Sequence, residues 1–135
     1  MRAIVYDRPG TSAVLSETDL PVPEPGPGEV RVRVAVSGVN PTDWKGRRDY
    51  NGSAPIVPNQ DGAGIVDAVG PGVDPAMAGR RVWLWEAARQ RHGGTAQEFT
   101  VVPQANADLP SSERPANCEL IGVRTVDEAL QALLQ

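Results

Sequence analysis

Few side chains in this 135-residue sequence can hold or move a proton at neutral pH. His92 is the only histidine, and imidazole is the one group whose ordinary pKa lies near neutrality. It falls in a predicted loop beside Gly93-Gly94, where it reads either as a general base or as a solvated loop residue. Asp61 precedes Gly62 and reads as a general base or hydrogen-bond acceptor, or as a turn carboxylate. Lys45 reads as a solvated charge; burial would lower its pKa and make it a usable acid or base. Asn40 begins the run Asn40-Pro41-Thr42-Asp43, where it suits a helix N-cap with Pro41 at the first helical position and Asp43 in the first turn. Trp44, Tyr50, Trp83 and Trp85 are four of six aromatic residues and could wall an apolar pocket. Arg80, Arg81, Arg89 and Arg91 make the segment around the last two Trp locally positive, as a solvated surface or as a site for a carboxylate or phosphate. A zinc site takes three or four ligands, usually thiolate or imidazole. With a single Cys (Cys118) and a single His, none can be assembled and no internal disulfide can form.

The elements that must position these residues are short strands. Val outnumbers Leu 17 to 8, and Gly plus Pro make up 27 of 135 residues, a composition suited to pleated sheets joined by many turns. Residues 2–7 read as a first strand and Ser12–Ser16 as a weaker second. Pro at 21, 23, 25 and 27 imposes an extended loop. In the run 29–39, Val30, Val32, Val34 and Val36 alternate with Arg31, Arg33, Ala35 and Ser37, the pattern of a half-buried strand. A short helix begins at Asn40, with Gly46 and Gly52 expected to stop it early. Residues 63–69 and 80–85 read as strands, the latter with Val82 and Leu84 on one face and Trp83 and Trp85 on the other. Residues 96–102 supply a further strand before Pro103. Composition shifts after Leu109-Pro110: residues 111–117 are linker-like, 119–123 read as a strand, and 125–134 as a helix. That helix has a capping box of Thr125 and Glu128 and an apolar stripe of Val126, Ala129, Leu130, Leu133 and Leu134. The fold class expected is mainly β, a small barrel or sandwich with short helices and one C-terminal helix. The domains expected are 1–110, followed by a tail, 111–135, packed on it.

Net charge is −4, which disfavours nucleic acid as a partner. No apolar run approaches a membrane span, and the N-terminus lacks the apolar core of a signal peptide. The expectation is a cytoplasmic protein without membrane or nucleic-acid partners.

Several segments occur together and in order: MRAIVYDRPG, PVPEPGPGEVRVRVAVSGVNPTDWKGR, PIVPNQDGAGIVDAVGPGV, AGRRV, GGTAQEFTVVP and ADLP. Together they resemble the N-terminal GroES-like domain of the medium-chain dehydrogenase/reductases, and are most similar to the zinc-independent quinone oxidoreductase branch. The resemblance implies a partly open GroES-like β-barrel. It also shows departures. Members with catalytic zinc carry Cys where Asn40 stands and a His-Glu pair at Gln60-Asp61. They also carry a lobe of four Cys where this sequence has WLWEAARQRH. In the family a Rossmann domain with the nicotinamide cofactor follows, and the sequence stops about where it would begin. Gly62-Ala63-Gly64 lacks the third glycine of a dinucleotide fingerprint and leads into a strand.

The resemblance places the substrate in a cleft lined by VNPTDWK. It implies a substrate- or cofactor-binding role for Asn40, and an ammonium at Lys45 where many relatives have a Tyr. The expectation is a domain that binds a small carbonyl- or quinone-like molecule, with Lys45, Asp61 and His92 catalytic and Asn40, Trp44, Tyr50 and Trp85 binding. No cofactor and no metal are expected, and the chemistry would be isomerisation, cyclisation or elimination in a biosynthetic pathway. Two alternatives stand beside it. One is a subunit of a split NADPH-dependent quinone or enoyl reductase whose Rossmann domain is a separate chain. The other is a non-catalytic binding or interaction module. A homodimer is expected under all three.

Overall fold

A computed structural model describes residues 1–52 and 54–107; the predicted strand 119–123, the helix 125–134, Cys118 and the packing of the tail lie outside these residues. Six strands form two sheets. A two-stranded antiparallel ribbon pairs β1 (Arg2–Val5) with β2 (Ser16–Asp19). A four-stranded antiparallel sheet has the order β5-β4-β3-β6, made of β3 (Glu29–Ser37), β4 (Gly62–Val69), β5 (Arg81–Leu84) and β6 (Phe99–Pro103). Single contacts tie ribbon to sheet without closing a continuous barrel: Ile4 N–H donates to Ala96 O at 2.9 Å, and Tyr6 and Ile56 exchange bonds of 3.0 and 2.8 Å. This is the mainly β, partly open architecture expected. Among the described residues no helix is long and apolar enough to cross a membrane.

The core is made of small β-branched side chains. Val30, Val32, Val66 and Val102 are fully buried, with Val82, Leu84, Met77 and Ala87 around them. Val82 and Leu84 turn inward from β5 while Trp83 faces outward, so the alternation in that strand holds. In β3 it holds only halfway. Val30 and Val32 are buried, Val34 is half-buried, and Val36 is 61% exposed. β6 covers β3 only from Glu29 to Arg33. Register shifts at Arg31/Val32 and Val34/Val36 then turn the far end of the strand away from the core.

Three element boundaries differ from the sequence pattern. Ser12–Val14 is a 3-10 turn whose Thr11 side chain accepts from the Ala13 N–H, and the second strand starts only at Ser16. That strand, Ser-Glu-Thr-Asp, is held by its ladder to β1 rather than by apolar burial. Helix α1 (Pro41–Arg48) runs through Gly46, with Lys45, Arg47 and Arg48 in its last turn where the dipole favours cations; one interior Gly costs only about 1 kcal/mol. Residues 96–98 hold the ribbon instead of extending β6: Ala3 bridges Gln97, and the Glu98 N–H donates to Arg2 O.

Candidate functional site

Residues 59–61, the segment leading into β4, gather most of the polar contacts in this part of the molecule. Asn59 adopts a left-handed conformation, φ 76°, and its Nδ2 donates to Ser37 Oγ at 2.8 Å. Thr95 Oγ1 donates its single proton to Asp61 O at 2.7 Å, so in the 2.8 Å contact between Ser37 Oγ and Thr95 Oγ1 the serine must be the donor. The chain Asn59→Ser37→Thr95→Asp61 therefore runs in one direction. The Gly38 N–H also donates to Asp61 O, at 2.8 Å, so the Asp61 backbone is fixed from two sides.

Gln60 anchors the loop after β5: its backbone oxygen accepts from the Ala87 N–H at 2.8 Å and its Oε1 from the Ala88 N–H at 3.1 Å. Asp43, buried at the start of α1, accepts from the Asn40 N–H at 2.6 Å and the Gln60 N–H at 3.2 Å. One carboxylate thus caps the helix and fastens it to the segment ahead of β4. With these restraints in place, Asn40 Nδ2 donates to Asp61 Oδ2 at 2.6 Å. Asp61 Oδ1 is left without a hydrogen-bond partner among the described residues.

Beside this pair lies a pocket of about 440 Å³ bordered by Asp61, Gly62, Trp83, Leu84 and Trp85. The Gly62 backbone passes so close to β3 that a Cβ there would fall 2.6 Å from Val36 O, against Thr95 as well. Across the outer face of the sheet, Val36, Ala63 and Trp83 stand in register on three adjacent strands. Trp83 and Trp85 are 46% and 40% exposed. The site therefore joins one hydrogen-bonded carboxylate to an apolar, largely aromatic wall.

The other sequence candidates lie elsewhere. Lys45 is exposed with its Nζ 5.8 Å from the Trp44 ring centre, and Arg48 stacks on the same ring at 5.4 Å. The burial that would turn Lys45 into an acid or base is missing, and Trp44 is half-covered by cations of its own helix. Tyr50 packs edge-on against Tyr6 at 5.3 Å and donates to Ala54 O; burial, with Tyr50 adding to it, pushes the Tyr6 phenol up. His92 is exposed, with Nδ1 3.3 Å from Pro55 O. It borders a different pocket, about 480 Å³, with Met1, Leu20, Val57 and Arg91. Of the seven candidates, Asn40, Asp61 and Trp85 come together. Asp43, Ser37, Asn59, Gln60 and Thr95 escape a reading of the sequence. Only Asp43 carries a local signal, its place three residues after the N-cap; Ser37 and Thr95 meet across 58 positions.

Two cofactor fits follow from these contacts. A zinc site would draw on Asn40, Gln60 and Asp61, but both amides are already engaged and only one carboxylate remains. Among the described residues, no three His, Cys, Asp or Glu side chains cluster to hold a metal ion. A dinucleotide cradle needs glycines opening a helix. Gly62 and Gly64 instead lie inside β4, where Gly64 gives room to the Arg33 carbonyl of β3.

The fold defines a GroES-like domain. The sequence profile of the alcohol dehydrogenase GroES-like domain matches residues 26–111, and the chain belongs to that family. Solved structures similar to it include a mycobacterial quinone oxidoreductase, 32% identical over 84% of this chain and 35% of its own, with a TM-score of 0.70. An NAD-dependent alcohol dehydrogenase is 34% identical over 85% of this chain and 41% of its own, with a TM-score of 0.73. The Escherichia coli quinone oxidoreductase complexed with NADPH is 26% identical over 84% of this chain and 35% of its own, with a TM-score of 0.72. The chain thus spans 35 to 41% of the length of these structures, and is a quinone-oxidoreductase-like domain of the medium-chain dehydrogenase/reductase kind. No curated protein gives a significant match.

Proposed function

We propose that the pocket beside Asp61 binds a small, flat carbonyl- or quinone-like molecule, and that the Asn40–Asp61 pair handles a proton on it without zinc. The observation that carries this reading is the 2.6 Å Asn40–Asp61 bond at the edge of a pocket walled by Trp83 and Trp85. Aromatic side chains offer a flat ligand stacking area. Asn40 fixes one carboxylate oxygen and leaves the other to accept a proton, here from the carbon next to the ligand carbonyl. Returning that proton to another atom of the same molecule is an isomerisation; if the carbon next to the deprotonated one carries a leaving group, its departure as the double bond forms between the two carbons is an elimination. Neither step needs a cofactor. Lys45 and His92 take no part at this pocket.

A second reading rests on the Escherichia coli quinone oxidoreductase, whose structure is a complex with NADPH. On this reading the Trp83–Trp85 wall of this chain would face a nicotinamide held by a separate Rossmann domain. The dinucleotide cradle is then outside the described residues of this chain, and hydride transfer depends on that domain.

The two indoles make the pocket its own reporter. A simple benzoquinone titrated into the protein should quench Trp fluorescence saturably, and Trp85→Ala should weaken that binding about tenfold. Absence of saturable quenching overturns the ligand assignment. With a bound ketone in D2O and no nicotinamide present, exchange of the α-hydrogen that Asp61→Asn abolishes supports proton transfer. Reduction that starts only on adding NADPH favours the second reading.

A further inference from the structure

The hydrogen-bond pattern of β5 shows which of its backbone groups are open. Val66 N–H donates to Arg80 O at 3.0 Å, and the register runs Ile65–Arg81, Gly64–Val82, Ala63–Trp83, Gly62–Leu84. In an antiparallel ladder, residues at alternate positions turn both backbone groups to the same neighbour. Val82 and Leu84 therefore face β4, as does the Arg80 carbonyl, while Arg81, Trp83 and Trp85 face outward. Trp85 is taken: its N–H donates to Asn106 O at 3.3 Å, and its carbonyl accepts from Asn106 Nδ2 at 3.1 Å. Arg81 and Trp83 are left with two N–H and two C=O groups on an edge strand, and no other described residue pairs with them. An open, strongly β-forming edge is a template for another strand.

We propose that β5 pairs antiparallel with β5 of a second copy of this chain, with Arg81 opposite Trp83 and Val82 on the two-fold axis. This is the register that uses the four open groups of each copy and nothing already bonded. A two-fold interface must be self-complementary, and this one is. Arg81 of each copy faces Trp83 of the other as a hydrogen-bonded pair with Cβ atoms about 5.5 Å apart, within cation–π range. Both side chains are exposed, and the Arg81 guanidinium has no acidic partner among the described residues. The two four-stranded sheets become one. Trp83 also borders the pocket beside Asp61, but the proposal does not rest on the ligand reading, since pairing of the strand edge is read with no ligand present.

The test is light scattering with size exclusion on the full chain over a concentration series, with amide hydrogen exchange at Arg81 and Trp83. The wild type should dimerise, and protection of those two amides should rise with concentration. Trp83→Lys removes the stacking and places a charge at the edge; the side chain is exposed, so the fold tolerates it. It should raise the dimer dissociation constant about tenfold or more. Val36→Lys changes the same sheet face two strands away and should leave the dimer intact. Loss of the dimer in Val36→Lys as well would mean face-to-face packing and overturn the edge register. A monomer with both amides protected at every concentration would mean that residues 108–135 of the same chain cover the edge, and a monomer with both exposed that the edge stays bare; either result overturns the proposal.

Discussion

At the scale of single residues, Asp61 combines two contacts of different kinds. Its backbone oxygen is held by Gly38 and Thr95, and its side chain by Asn40. Asp61→Asn keeps the backbone contacts and still offers Asn40 an acceptor oxygen, so the fold should survive. The proton acceptor is lost, and turnover should fall about 10²–10⁴-fold, the usual worth of a positioned general base. Asn40→Ala leaves the carboxylate but frees its rotamer, and should cost less. Lys45→Ala and His92→Ala should leave turnover unchanged, because one side chain stacks on Trp44 in solvent and the other borders the second pocket. A loss in His92→Ala as large as that in Asp61→Asn would move the chemistry to that other pocket. The sequence marks all four alike as candidates, Asn40 and Lys45 at a short helix and Asp61 and His92 in turns or loops. What separates them is which neighbours lie close in space, and local pattern carries no information about that.

At the scale of elements, legibility follows periodicity. β5 reads correctly because four residues alternate without interruption, and β4 because an apolar run ends in Gly-Pro-Gly. The far end of β3 reads wrongly because alternation fixes which way side chains point, not whether anything covers them; β6 stops at Arg33, leaving Val36 in solvent. Gly46 misleads for the opposite reason. A helix anchored at its start by Asp43, which also reaches Gln60, absorbs one poor helix former. The site inherits this division: the Trp wall on β5 is legible, whereas the network that joins β3, β4 and the segment before β6 is not. Its centre is Thr95, fully buried. Thr95→Val keeps the shape but withdraws the donor to Asp61 O and the acceptor for Ser37. Asp61 O keeps the Gly38 N–H, but two hydrogen bonds are lost, and unfolding in urea should show a loss of about 1–3 kcal/mol. A change below about 0.5 kcal/mol would mean that water replaces the hydroxyl.

At the scale of the whole molecule, elements that lack a shared ladder are joined by a few charged contacts, and these set the response to acid. Glu29, at the start of β3, takes Arg91 Nη2 at 2.5 Å and the Gly26 N–H at 2.9 Å. The Arg91 contact, more than the backbone one, holds its carboxyl below the ordinary value of 4.5. Between the folded and unfolded values the unfolded chain binds more protons, so stability rises with pH in that window. The contribution is complete above about pH 4.5 and disappears as pH falls through the lowered folded value. Arg91 is partly exposed, which limits the pair to about 1 kcal/mol or less. Glu98 acts in the same direction where it ties the segment before β6 to β1, its carboxyl lowered chiefly by the Arg2 N–H. Glu29→Gln should therefore be less stable than the wild type at neutral pH by up to that amount, and the two stability curves should converge in acid. Urea midpoints measured from pH 7 down through the carboxylate range give the comparison. A deficit that stays constant across the range would assign the effect to lost packing at the start of β3, and the Arg91 loop would need another anchor.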